Sequence, residues 1–162
     1  MKLHIGCGYI KKEGFINIDK SPDVNPDMII DIEKELPFPD NSVDEIFSNR
    51  VLEHVRPEYW SFVLDEIYRV CKNGAIIELH LPFDNVKNRC DIDHYRCFSF
   101  HSFDHCIEGN KRNYYRKFRV KMLNKKPNKF IRIICNLFPW AKDDVYFKFE
   151  VVKNKDNEIR YI

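Results

Sequence analysis

The chain has 162 residues, 44% of them apolar and 14% aromatic, with a net charge of +2. That length and apolar share can close a core without staples, which excludes a disordered chain and predicts a single domain over residues 1–162. No run approaches the roughly 20 apolar residues of a membrane-crossing helix.

Charge is divided unevenly along the chain. Residues 1–81 carry 9 Lys/Arg against 15 Asp/Glu, and residues 82–162 carry 18 against 10. The first half therefore reads as a cofactor platform and the second as a half that favours an anionic partner. The six cysteines are irregularly spaced and no export-signal pattern opens the chain, so reduced thiols in a cytoplasm are expected.

In chain order, Leu3-His4-Ile5 predicts a first strand, running into the glycine turn Gly6-Cys7-Gly8. Phe15 to Ile18 predicts a second strand, closed by Asp19, and Met28-Ile29-Ile30 a third that ends on Asp31. After the turn cluster 37–42, Val43 to Ser48 predicts a fourth. Trp60, Val63, Leu64, Ile67, Tyr68 and Cys71 recur with a period of 3.6, which predicts a helix stopped by Lys72-Asn73-Gly74. Ala75 to Leu81 predicts a central strand on which His80 is a core residue. Beyond Pro82, Asn85 to Cys97 reads as a loop and Ser102 to Ile107 as the start of a helix. Tyr115 to Leu123 and Val145 to Val152 read as two late strands. Strand–helix–strand order predicts a mostly parallel sheet with helices on both faces. Only five residues separate Gly8 from Gly14, too few for the dozen or so of a usual parallel crossover. The first crossover helix is therefore expected to shrink to one turn between Tyr9 and Glu13.

The glycine turn places backbone where a ligand can approach closely, and the carboxylate of Asp19 is positioned to accept hydrogen bonds from ribose hydroxyls. In this order and spacing, Leu3-His4-Ile5-Gly6-Cys7-Gly8, Gly14-Phe15-Ile16-Asn17-Ile18-Asp19, Leu36-Pro37-Phe38-Pro39-Asp40-Asn41-Ser42, Val51-Leu52-Glu53-His54-Val55 and Asp65 to Ala75 resemble class I S-adenosylmethionine-dependent methyltransferases. The resemblance implies a Rossmann-like α/β fold with a late antiparallel strand pair. It implies S-adenosylmethionine as cofactor and a small-molecule or saccharide acceptor. It also implies roles by position. Gly6, Cys7 and Gly8 would meet the methionine moiety, Asp19 the ribose, and Asp31 with Ile32 the adenine. Pro37-Phe38 would wall that pocket, and Ser48, Asn49 and Arg50 would line the place where donor and acceptor meet. His4 stands where the family carries an acid.

Methyl transfer needs alignment and desolvation more than acid–base work, and a base only where the acceptor must lose a proton. His54 is the first candidate for that base, against the alternative of an ordinary surface histidine. His94 with Arg96 is the second, for binding or deprotonating the acceptor. Cys90, His94, Cys97, His101, His105 and Cys106 crowd together but lack the short Cys-x2–4-Cys knuckle of zinc sites, and no metal is expected. Lys111 to Arg132, basic with interleaved aromatics, offers a nucleic-acid surface or a solvated face. Phe130 to Phe138 offers a lid or a membrane-surface helix. A methyltransferase fold retained as a binding module without catalysis is the remaining alternative.

Overall fold

The computed structural model describes residues 1–110, 117–124, 130, 135 and 143–153. Seven strands form one sheet: β1 (Lys2–Ile5), β2 (Ile16–Asp19), β3 (Met28–Ile29), β4 (Val43–Asn49), β5 (Cys71–Pro82), β6 (Val120–Met122) and β7 (Asp144–Val151). Their order is β3-β2-β1-β4-β5-β7-β6. The first five run parallel, and β7 is antiparallel to both β5 and β6. This is the mostly parallel sheet with late antiparallel pairing that the sequence predicts.

Strand alternation sorts the two faces. Leu3, Ile5, Ile46, Ile77, Leu79, Phe147 and Phe149 are buried on one face, and their register partners share it. They join Val63, Leu64, Ile67 and Val70 of helix α1 (Trp60–Val70) in a single core. The opposite face is polar and aromatic. His4, Phe47, His80 and Tyr146 stand in a row there, with successive ring centroids 5.1, 5.3 and 4.8 Å apart. His80 therefore lies on the open face, partly exposed, and not in the core as its strand position suggested.

Of the helices expected on the sheet faces, α1 is the one longer than a single turn among the described residues. The connections explain this. Residues 6–15, 20–27 and 30–42 are the whole links between successive strands β1 to β4, short for crossovers that carry helices. The link after β1 contains turns only, without the helical turn expected between Tyr9 and Glu13. Helix α1 ends at Val70, because Cys71 turns extended at φ −68°, ψ 143°. The ladder with β4 then skips from Cys71 to Ile76. Lys72-Asn73-Gly74 thus forms a bulge inside β5, not the helix end, and Gly74 supplies its positive φ of 81°.

Later segments dock on the sheet through aromatic rings. Phe103, fully buried, packs against Trp60, Phe98, Phe147 and Phe149 at centroid distances of 6.3, 6.1, 4.9 and 5.3 Å. The expected loop at 85–97 includes one helical turn, α2 (Val86–Arg89), capped by the Asn85 side chain. The expected helix at 102–107 is a 3-10 turn, Asp104–Cys106. The basic stretch 111–132 lies outside the described residues except for 117–124 and Phe130. So does the expected lid, save Phe130 and Cys135. No helix among the described residues is long and apolar enough to cross a membrane.

Arg69, near the end of α1, anchors the long link between β3 and β4. Its guanidinium donates to the Leu36 and Phe38 carbonyls at 2.9 Å each, to Asp40 at 2.7 Å, and to both oxygens of Glu66 at 2.8 Å. Glu66 in turn accepts the Leu36 N–H at 2.9 Å. This draws Phe38 into the core, so Pro37 and Phe38 stand away from the cleft they were expected to wall. Arg69→Leu leaves Glu66 buried without its cation and two carbonyls without a donor. We expect it to lower the unfolding free energy by about 3 kcal/mol in urea titrations, with Arg69→Lys intermediate.

Candidate active site

A cleft of about 790 Å³ opens beyond the carboxyl ends of β1, β2, β3 and β4. The segments that follow these strands supply its wall: Gly6 to Lys12, Asp19-Lys20, Ile30 to Glu33, and Asn49 to Val51. Open parallel sheets place ligand sites at this end.

The first wall segment is held by Asn17. Its Oδ1 accepts the Lys12 N–H at 2.7 Å, and its Nδ2 donates to the Phe15 carbonyl at 3.0 Å and to Asp27 at 2.9 Å. Oδ1 also bonds His4 Nδ1 at 3.0 Å. With Oδ1 as acceptor, the imidazole donates from Nδ1 and keeps its lone pair on Nε2. Burial is the main cause that lowers the His4 pKa, so the ring is neutral at pH 7. Lys12 lies over the Phe15 and Phe47 rings, with Nζ 5.1 and 4.5 Å from their centroids, a cation held by two π faces.

Asp19 is oriented by the backbone around it. Its Oδ2 accepts the Gly8 N–H at 2.9 Å and its Oδ1 the Ser21 N–H at 3.0 Å. Each oxygen retains a lone pair for a ligand. Asp31 accepts the Glu33 N–H at 3.1 Å, and Glu33 holds Arg56 through its backbone N–H at 2.8 Å and its Nε at 2.7 Å. Arg50 has a φ of 54°, its N–H bonds the His80 carbonyl at 2.9 Å, and its guanidinium pairs with Asp144 at 2.7 Å. Burial and the charge of Asp19 raise the Cys7 thiol pKa, which keeps it protonated.

Gly6, Cys7, Gly8, Asp19, Asp31, Ile32, Asn49, Arg50 and His54 all line this one cleft. Ser48 does not. It faces the core with Ile46, 1% exposed, its hydroxyl without a partner. Arg96 stacks its guanidinium on Trp60, 4.0 Å from the ring centroid, and does not reach the wall. His94 is behind His54, their ring centroids 5.1 Å apart. Glu53, which the sequence did not single out, completes a cluster with these two histidines. It is fully buried, neither carboxylate oxygen has a hydrogen-bond partner, and burial raises its pKa. Its one signal was an acid beside His54 among the apolar Val51, Leu52 and Val55.

Residues 13–79 match the model of a family described as a methyltransferase domain. An S-adenosylmethionine-dependent methyltransferase from Archaeoglobus fulgidus superposes with a TM-score of 0.63. It has 18% identity, over 93% of this chain and 85% of its own. The YcgJ protein of Bacillus subtilis gives 0.62 at 13% identity, over 94% and 92%. A 1,6-didemethyltoxoflavin-N1-methyltransferase from Burkholderia thailandensis, solved with 1,6-didemethyltoxoflavin and S-adenosylhomocysteine bound, gives 0.60 at 12% identity, over 94% and 71%. At these identities the likeness is one of fold. No curated protein matches the chain in sequence.

Two variants test the glycine turn. Gly6 has a φ of 65°, and an added Cβ would lie 2.2 Å from Val51 Cγ2, whereas Gly8 at 51° has open space before it. Gly6→Ala is expected to cost about 3 kcal/mol of stability and Gly8→Ala about 1 kcal/mol. Adding Val51→Ala should recover part of the first loss and none of the second. A third test concerns pH. The unfolded chain protonates His4 near its ordinary 6.5, whereas the folded chain resists until lower pH. Its contribution to stability is therefore full above 6.5 and lost as pH falls below it. The stability of the wild type relative to His4→Gln should drop between pH 7.5 and 5.5 in urea titrations.

Proposed function

We propose that this chain, which has the fold of the class I S-adenosylmethionine-dependent methyltransferases, binds S-adenosylmethionine in the cleft and transfers its methyl group to a small-molecule acceptor. The observation that carries the reading is the convergence of Gly6, Gly8, Asp19 and Asp31 on one cleft of about 790 Å³. The donor set fits the cofactor piece by piece. Asp19, held by two backbone N–H groups, has lone pairs for the ribose hydroxyls. Asp31 with the Ile30 and Ile32 side chains suits an adenine ring and its amine. Neutral His4 offers Nε2 as acceptor to the methionine ammonium, in place of the family's acid. Lys12 offers its charge to the methionine carboxylate, since the link after β1 holds no helix whose N-terminus could serve it.

The cofactor brings a methyl group already activated on a sulfonium, so an in-line displacement needs no acid on the leaving side. The residues of this chain align the reactants and exclude water. Asn49, Arg50 and His54 stand at the β4 side of the cleft, where an acceptor would lie. His54 donates its Nδ1 proton to the Asp93 carbonyl at 2.9 Å, which leaves the lone pair on Nε2. His54, with His94 behind it, is the proposed means of drawing a proton from the acceptor nucleophile. Arg50 is the proposed contact for an anionic group on it.

Calorimetry with S-adenosylhomocysteine and S-adenosylmethionine tests the reading. We expect binding that Asp19→Asn weakens about tenfold or more, a loss of about 1.4 kcal/mol. Lys12→Ala should weaken it several-fold and flatten its dependence on salt. Absence of binding by the folded wild type at millimolar ligand would leave a binding module on this fold and end the enzyme assignment.

A further inference from the structure

Glu53, His54 and His94 bring one carboxyl group and two imidazoles together. Glu53 and His54 sit on the turn Leu52–His54 that follows β4. His94 arrives on the loop after α2, which is tied back at two points. Tyr95 N–H donates to the Glu53 carbonyl at 2.9 Å, and His54 Nδ1 donates to the Asp93 carbonyl at 2.9 Å. His94 Nδ1 bonds the Asn88 carbonyl at 3.1 Å. A carbonyl can only accept, so both histidines spend their Nδ1 proton there and keep a lone pair on Nε2. Glu53, with 0% exposure and two oxygens lacking any partner, completes the set. One ligand atom from each of the three lies within 4.8 Å of the others.

Burial disfavours the ionised form of Glu53, and a cation that meets the carboxylate and both imidazole lone pairs removes that cost. We propose that Glu53, His54 and His94 bind a divalent transition-metal ion of the zinc type at the wall of the cleft. Three features favour this occupant. Two imidazoles and a carboxylate form a donor set suited to zinc, ferrous iron or cobalt, and unlike the all-oxygen sets of magnesium and calcium. Each histidine has its other nitrogen on a backbone carbonyl, the arrangement that orients metal-binding imidazoles. Three protein ligands leave open positions, as in catalytic zinc sites. Closing on an ion at about 2.1 Å from each ligand needs separations of about 3.5 Å, and the Glu53 side chain, with no hydrogen bond to break, can supply that movement. Two further charged groups act on the cluster. Asp91, its Oδ2 3.5 Å from His94 Nε2, adds negative charge. Arg50 acts on Glu53 from the cleft wall, itself paired with Asp144.

Because His54 also lines the cleft, the open positions would take an oxygen of the acceptor and make it more acidic. That step rests on the methyl-transfer reading; the metal site does not. On this view the two histidines act on the acceptor through the ion and not as free bases.

The test uses the whole chain stripped with a chelator and titrated with zinc, then with cobalt, in the absence of cofactor. We expect one ion per chain, a rise in melting temperature on zinc addition, and a cobalt spectrum of nitrogen and oxygen ligands without a thiolate charge-transfer band. Glu53→Gln and His94→Gln should weaken zinc binding by at least about a hundredfold. Cys90→Ser and His105→Gln should leave it unchanged. Circular dichroism establishes that each variant is folded. Absence of binding by the wild type, a thiolate band in the cobalt spectrum, or undiminished affinity in folded Glu53→Gln each overturns the proposal. Binding of S-adenosylhomocysteine by the metal-free protein, measured separately, shows whether the methyl-transfer reading stands when the metal site fails.

Discussion

The connection between β1 and β2 is ten residues long, and the architecture of the cleft depends on how it is held. Parallel neighbours usually need a helix to return the chain to the same end of the sheet. Here Asn17 does the anchoring. Buried in β2, it accepts from the Lys12 N–H and donates to the Phe15 carbonyl and to Asp27. Its own N–H reaches Asp27 at 2.7 Å, so the next connection is held by the same residue. Each bond contributes about 1 kcal/mol net, but leaving a buried amide unpaired costs more than a bond contributes, which makes the short path the one low-energy route. Gly6 is the other fixed point. Its N–H and that of Cys7 both bond the Ile18 carbonyl, at 2.8 and 3.1 Å, and Val51 fills the space a side chain would need. The turn is thereby locked to β2 on one side and to the segment after β4 on the other.

The strands were legible because one face of each is buried and the other is not. Val145, Phe147, Phe149 and Val151 alternate with Tyr146, Lys148 and Glu150 in the sequence, and they do so in the sheet. The helix was legible by its 3.6-residue period, but its end was not. Lys72-Asn73-Gly74 has the chemistry of a helix stop, yet Cys71 is already paired with Val43. A tertiary contact across the sheet, invisible to a local signal, determined the boundary. His80 was misread for a related reason. The run from Ala75 to Leu81 reads as one buried strand, but Ile76, Glu78 and His80 alternate with its buried residues and are partly exposed.

Site residues divide in the same way. Glycine turns and strand-ending acids are local features, and Gly6, Gly8, Asp19 and Asp31 stand together in the cleft. Ser48 reads in sequence as lining the site, yet strand parity puts it in the core. It shares a face with Ile46, while Asn49 shares one with Phe47, and Asn49 and Phe47 line the cleft. Glu53 was not legible, since a short turn imposes no period on its side chains. Its burial is a consequence of the loop that carries His94 folding back over it, through bonds to the Glu53 and Asp93 carbonyls.

Shortening the connections also changes what can hold an anion at this end of the sheet. A helix N-terminus contributes about half a unit of positive charge from fixed dipoles and costs no side-chain entropy. Without one, the wall of the cleft relies on Lys11, Lys12, Lys20 and Arg50. Lysine is a mobile point charge, and ordering it opposes binding. The ring pair Phe15 and Phe47 offsets that cost for Lys12 by holding its ammonium before any ligand arrives. Phe47 belongs to the polar face of β4 and is also part of the ring row that includes His4 and His80. A row of His4, Phe47, His80 and Tyr146 that grades from buried to exposed is a poor hydrophobic core. It makes physical sense as a platform that keeps a cation and a neutral imidazole in place beside the glycine turn.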